Sequence, residues 1–334
     1  MSFEDLLASG KKVITAEVTP PHGTDVGHFL ETAKLLKNHV HAFNITDNQR
    51  ALMRMSGLAC ASLMVQEGMD PIYQLTCRDR NVLALQSDLL GASALGIKNV
   101  LALTGDPVSA GDTPDAKGVF QFEAVGLLNL IKKLNEGVSI IDKPLNKPLG
   151  LFAGAVVNPG GRAVDPQIRR LEKKLNAGAK FFQTQAVFSR QQMEDFMNKV
   201  RPLGAKIIAG VLLVRTLKTA HFLQEKVPGI FVPDELFQKL ASSKHFDAKK
   251  GETNFLRFVP THEFPNTLLL GLGKYSDWST EIARQIGANL FGTQKKEKLD
   301  WVAVEIGSLL MENHNDAIIQ AFCEGYWLGS YQYT

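Results

Sequence analysis

Cysteine is scarce. The 334 residues carry three, Cys60, Cys77 and Cys323, far apart in the chain. An odd, scattered set excludes a disulfide framework and fits a reducing compartment. No CxxC or HxxxH spacing marks a metal site. Each cysteine is expected to be a small core residue rather than a nucleophile. Long apolar runs are missing too. No stretch approaches the roughly 20 residues that cross a bilayer. The opening MSFEDLLASGKK has early acids and no apolar core, unlike a secretory signal. Charge of one sign is equally absent. The chain has 37 basic and 34 acidic residues, a net charge of +3. The doublets Lys249-Lys250 and Lys295-Lys296 are too short to form a nucleic-acid block. These absences set the expectation of a cytoplasmic protein with no bound metal, no nucleic-acid partner and no membrane association.

What is present is alternation. Short apolar runs at Val13–Val18, Val40–Ile45, Ile72–Thr76, Val100–Thr104, Gly150–Val156, Phe181–Thr184 and Ile207–Val214 read as strands. Helical patterns fall between them. Asp165-Pro166 reads as an N-cap followed by proline. Ile168, Leu171 and Leu175 then share a face, and Gly178 closes the helix. Ser189 to Gln192 reads as a capping box ahead of an apolar stripe of Met193, Phe196, Met197 and Val200. Strand–helix alternation implies a parallel sheet covered by helices. Seven units come close to an α/β (β/α)8, or TIM, barrel and leave it incomplete. In such barrels, ligand chemistry sits at the C-terminal strand ends.

Polar residues gather at six of those ends. They are Glu17, Thr46-Asp47-Asn48, Thr76-Cys77-Arg78, Thr104-Gly105-Asp106, Asn158-Pro159 and Gln183-Thr184-Gln185. Asp47 and Asp106 read either as helix N-caps, the commoner use of aspartate there, or as ligand-facing groups. Glu17 is sharper. A glutamate in an otherwise apolar strand is costly to bury unpaired, and burial raises its pKa toward that of a general acid.

These residues lie in stretches that resemble the methylenetetrahydrofolate reductase family. The stretches are AEVTPPHGTD, FNITDNQRALMRMS, YQLTCRDRNVLALQSDLLGASALGIKNVLALTGDP, LEKKLNAGAKFFQTQAVF and AGVLLVRTLKTAHFL. They run in family order over residues 1 to about 243, and the third is the most specific. The likeness is greatest to the branch that includes reductase domains fused to methyltransferases. The resemblance implies a (β/α)8 barrel holding noncovalent FAD. It implies reduction of 5,10-methylenetetrahydrofolate to 5-methyltetrahydrofolate, a step of one-carbon metabolism and methionine biosynthesis, by hydride transfer from reduced flavin. Glu17 falls on the family's catalytic glutamate, which protonates the folate so that its five-membered ring opens. Asp106 falls on the aspartate beside the flavin ring, and Gln185 on the glutamine that contacts folate.

The resemblance also implies a cofactor site completed by Thr46, Asp47, Thr76, Thr104, Gly105 and Asn158. Lys173 and Lys174 match basic positions near the cofactor phosphates; by themselves, two helix lysines read as a solvated face. Leu217 stands where relatives can carry an aromatic residue against nicotinamide or folate. Gln74 replaces a histidine common before LTC, and Asn158-Pro159 replaces a Tyr-Pro of some relatives. The electron donor therefore stays open between NADH, NADPH and a partner protein, and a homo-oligomer is expected.

After about residue 243 the pattern changes. KKGE, an apolar strand running into GLGK, an amphipathic helix and a last helix ending EG…LGSY resemble the N-terminal domain of leucine aminopeptidases, over 244–334. That resemblance implies a non-catalytic α/β module used in packing and assembly. GLGK alone reads as a tight turn after a strand rather than a phosphate loop. Thr267–Leu272 reads in two ways. It takes the eighth barrel place, with FVPDELFQKLA as crossover helix, or it forms a small sheet with Trp301–Ile306. The alternative function is an inactive composite or truncated protein serving as an interaction or assembly module.

Overall fold

The computed structural model describes residues 2–160, 164–227, 230–242, 249–256, 267–299, 302–304 and 315–330. They divide into two compact units, Met1–Phe237 and Gln238–Thr334. The division falls inside a helix, Asp234–Ser242. The boundary expected at residue 243 lies outside the described residues.

The first unit opens with a short helix α1 (Phe3–Ala8), capped by Ser2, and then alternates strand and helix. The sequence runs β1 (Thr15–Val18), α2 (Gly27–Leu36), β2 (Ala42–Ile45), α3 (Gly57–Gln66), β3 (Pro71–Thr76), α4 (Val82–Ala94) and β4 (Asn99–Leu103). It continues through α5 (Ala124–Asn135), β5 (Phe152–Val157), α6 (Val164–Asn176), β6 (Phe181–Ala186), α7 (Arg190–Val200), β7 (Ile207–Gly210), α8 (Leu217–Lys226) and the first residues of α9 (Asp234–Ser242). All seven expected strands are present. They pair in parallel in the order β1-β2-β3-β4-β5-β6-β7, a curled, incomplete TIM-like barrel. Among the described residues no strand joins β7 back to β1.

Two layers of apolar packing follow from the two faces of these strands. Outside, Tyr73, Leu75, Val100 and Ala155 meet buried helix residues such as Met64, Leu89, Leu127 and Leu171. Inside, Ile72, Leu101 and Phe181 pack with Phe3 from α1. The Phe3 ring stands edge-on to Phe181 at 5.2 Å and to Phe152 at 6.1 Å. The Phe3 amide also donates to Asp70, just ahead of β3. This plug fills the N-terminal end of the strands and leaves the opposite mouth free.

Local punctuation follows the sequence with two corrections. Ser189 caps α7, its Oγ accepting from Gln192 N, with Phe196 and Val200 buried behind it. Asp165, expected as an N-cap, instead lies in the first turn of α6 and pairs with Lys199 of α7 at 2.6 Å. The strand expected over Ile207–Val214 stops at Gly210, and Val211 and Leu213 beyond it are exposed.

In the second unit, β8 (Thr253–Leu256) and β9 (Thr267–Leu270) form an antiparallel pair. The eighth-strand reading of Thr267–Leu272 is thus overturned. The segment has its own small sheet, but with β8 as partner; residues 302–304 carry no strand, and Trp301, Glu305 and Ile306 lie outside the described residues. GLGK is not the expected turn: it runs on from β9 without a turn of its own, against a turn in KKGE, with Gly271 N donating to Glu252 O and Gly251 N to Gly271 O. Two helices, α10 (Thr280–Glu297) and α11 (Asn315–Ser330), bury Ile286, Leu290, Ile318 and Phe322 between them. Their backbones approach so closely that a Cβ on Gly287 would stand 2.0 Å from Phe322 O, and one on Gly325 1.8 Å from Arg284 O.

Candidate active site

The mouth of the barrel holds a cavity of about 410 Å³. Glu17 of β1 and Asp106, just past β4, both line it. So do Asp47, Thr76, Thr104 and Gly105 from the middle strand ends, and Asn158 and Gln185 from the ends of β5 and β6. Lys174 reaches the same wall from α6. An adjoining space of about 320 Å³ shares Thr104, Ala124, Arg170 and Lys174 with it and adds Glu123, Val125 and Lys173. Two expected residues stand apart from both walls. Thr46 is fully buried, and its hydroxyl has no hydrogen-bond partner. Leu217 is half-exposed at the start of α8.

Glu17 opens into the cavity rather than being sealed in the core. The surrounding protein still strips enough water to raise its carboxyl pKa, while hydrogen bonds from Gln49 and Gln74 pull it partway back. Gln49 Nε2 donates to Glu17 Oε1 at 3.4 Å. Among the described residues no cation pairs with Glu17 within 4 Å. Neutral amides therefore hold a carboxyl disposed to keep its proton.

Asp47 is the opposite case. Its Oδ2 accepts from Thr76 N at 2.9 Å, Thr76 Oγ1 at 2.8 Å and Arg80 Nη1 at 2.7 Å, and Oδ1 accepts from Arg80 Nη2. Arg80 also grips Asp88 of α4. This bridge ties β2, β3 and α4 together and pairs the charge of Asp47, so Asp47 is no helix cap; it lines the cavity with its carboxylate already bridged to Arg80. Asp106 is no cap either. Its Oδ2 accepts from Arg50 N at 2.9 Å, in the turn after β2.

On α6, Lys174 Nζ donates to Val156 O at 2.6 Å. Burial, with Arg170 beside it, lowers the Lys174 pKa. Gln167 and Arg170 line the cavity from the same helix, and Lys173, exposed, lines the neighbouring space. Arg170 and Gln167 were not foreseen. The signal was available: 167, 170 and 174 follow helical spacing on a face apart from Ile168, Leu171 and Leu175. Cys77, buried behind β3, has its thiol pushed up to about 11 by burial, an inert core sulfur.

The family model described as methylenetetrahydrofolate reductase matches residues 2–255. The chain belongs to the methylenetetrahydrofolate reductase family. A second model, the N-terminal domain of the cytosol aminopeptidase family, matches residues 232–334. The chain is 24% identical over 256 residues to a Caenorhabditis elegans protein named "Probable methylenetetrahydrofolate reductase (NADPH)", covering 73% of this chain and 37% of that one. It is 28% identical over 185 residues to methylenetetrahydrofolate reductase (NADH) 1 of Arabidopsis thaliana, covering 52% and 29%. It thus spans about a third of the length of the curated relatives it matches. A solved 2,3-dimethylmalate lyase of the PEP mutase/isocitrate lyase superfamily overlays with a TM-score of 0.41 at 10% identity, over 72% of this chain and 91% of its own. Within the reductase family match fall all the cavity residues named above. Among the described residues, no helix is long and apolar enough to cross a membrane, and no group of three or more His, Cys, Asp or Glu is placed to hold a metal.

Proposed function

We propose that the barrel binds FAD and reduces 5,10-methylenetetrahydrofolate to 5-methyltetrahydrofolate, with electrons from NADH, NADPH or a partner protein. The carrying observation is Glu17, a carboxyl with a raised pKa, in one cavity with the Asp106 carboxylate. The chemistry of the donor set fits the cofactor. Arg170, Lys173 and Lys174 gather at the first residues of α5, Ala124 and Val125, three cations against the single carboxylate of Glu123 that lines the same space, a net positive pocket suited to a diphosphate. Thr104 closes that wall, its Oγ1 accepting from Ala124 N. Thr76, Gly105, Asp106 and Asn158 face the adjoining space, where the ring would lie. Bound FAD supplies the hydride.

The chain's own groups supply the rest. Glu17 donates a proton to the folate amine, which opens the five-membered ring and leaves the one-carbon unit ready to accept the hydride. Gln183 and Gln185 orient the pterin by their amides; Gln183 already donates to Asn44 Oδ1 at 2.6 Å. Asp106 places a negative charge beside the ring. Residues 1–243 carry this chemistry, in this reading, and 244–334 form a non-catalytic module. The test is spectroscopic. The purified chain should be yellow or take up added FAD, bleach with dithionite, and be reoxidised by methylenetetrahydrofolate. A folded chain that takes up no flavin would sink the reading.

A further inference from the structure

We propose that Asp112 is a positioning residue that holds the strained Asn48–Ala51 turn against the cavity and thereby keeps Gln49 on Glu17. The inference rests on the reading of Glu17 as proton donor. Three residues of this turn, Asn48, Arg50 and Ala51, have left-handed backbones with φ of 45°, 58° and 55°. None is glycine, so the turn needs external restraint. At Asn48 the restraint comes from Arg54 N, which donates to its Oδ1, and from Arg78 Nη1, which donates to its carbonyl; beyond Asn48 it comes from the loop after β4. Both carboxylate oxygens of Asp112 accept from Met53 N, at 3.1 and 3.0 Å, and Asp106 accepts from Arg50 N. Between those two acids Gly111 lies so close that a Cβ would stand 1.8 Å from Ala51 O. The Arg50 guanidinium packs over the Phe222 ring of α8 at 4.8 Å.

Gln49 is the side chain this turn delivers, and it reaches Glu17. Asp112 is absent from the cavity wall, so its effect is indirect. The other groups facing Glu17 are Gln74 of β3 and, around the cavity, Asp47, Arg78, Asp106, Arg170 and Lys174. Arg78 and Asp106 touch the turn as well, Arg78 Nη1 donating to Asn48 O and Asp106 accepting from Arg50 N, and Arg78 is also held by Asp79. Releasing the turn at Met53 therefore loosens the Gln49 hydrogen bond to the Glu17 carboxylate, while Asp47 stays bridged to Arg80 and Lys174 stays bonded to Val156 O.

The full chain tests this by hydrogen exchange and by carboxyl NMR of Glu17. Asp112→Ala should speed exchange of the Arg50 to Arg54 amides by about tenfold, the scale of one charge-assisted hydrogen bond, with β3 and β4 unaffected. The Glu17 titration should move up in the same variant, because the Gln49 bond favours the ionised form. Asp112→Asn keeps an oxygen acceptor and should restore both readouts. Unchanged exchange at Met53, an unmoved Glu17 titration, or faster exchange throughout the barrel would each overturn the proposal. Neither readout needs flavin or turnover. A failure of the reductase reading would appear separately, as a wild-type chain that binds no FAD.

Discussion

Two carboxylates at neighbouring strand ends are prepared for different work by their surroundings. Asp47 is bound by Thr76 and Arg80 and buried, an acid whose charge is already balanced. Among the described residues Glu17 meets the amides of Gln49 and Gln74 and no paired cation, and loss of water raises its pKa. Because its folded-state value exceeds the unfolded one, the folded protein holds this proton the more tightly. The resulting stabilisation is complete below the ordinary value of 4.5 and is lost as pH rises through the folded value. Glu17→Gln, which never ionises, should thus be more stable than wild type at neutral pH, with the advantage vanishing in acid. Denaturant melts across that range measure it. The same variant should bind and reduce flavin normally, yet lose about 10²–10⁴-fold in folate turnover, the usual contribution of a positioned acid. Normal turnover would assign the proton to another group.

Helix α6 shows what an element adds beyond its residues. Its apolar side, with Leu171 fully buried, packs on the sheet, and its 167–170–174 side turns to the cavity. Lysine held partly out of water, with an arginine beside it, is a pair that an anion would relieve. Arg170→Ala should therefore weaken FAD binding by about tenfold or more while changing riboflavin binding little, since only the phosphates are lost from the contact. Fluorescence titration of both ligands separates the two; equal weakening would place Arg170 elsewhere than at the phosphates.

The elements were legible in the sequence where local signals suffice. Seven strands announced themselves as apolar runs, and Ser189 as a cap. Of the candidate site residues read from the sequence, Glu17, Asp106 and Lys174 line one cavity, whereas Thr46 is buried away from it. Alternation along a short strand says which residues share a face, but not which face is the pocket. The Asp47–Arg80 bridge and the Asp112–Met53 contact join residues 33 and 59 positions apart, and no local pattern encodes such pairs. The partner of Thr267–Leu270 was misjudged for the same reason, because strand pairing is decided by tertiary packing.

At the scale of the first unit, the open sheet has an unequal interior. β2 and β3 are buried throughout, whereas β1 and β7, at the two edges, are only partly so. An edge strand bonds on one side only, and its outward amides depend on whatever covers them. Among the described residues no strand covers β1 or β7 on that side. Native-state hydrogen exchange should therefore run as a gradient. Amides of β3 and β4 should open only with global unfolding, and the outward amides of β1 and β7 by local fluctuations of much lower free energy. This matters for the site, because Glu17 sits on the β1 edge and Asp106 follows an interior strand. Flavin and folate bridging the two should slow exchange most at β1, where the free sheet is weakest. If β1 and β7 are instead as protected as β3 in the free chain, a further strand closes the barrel in solution, and the edge is not where the site gains its order on binding.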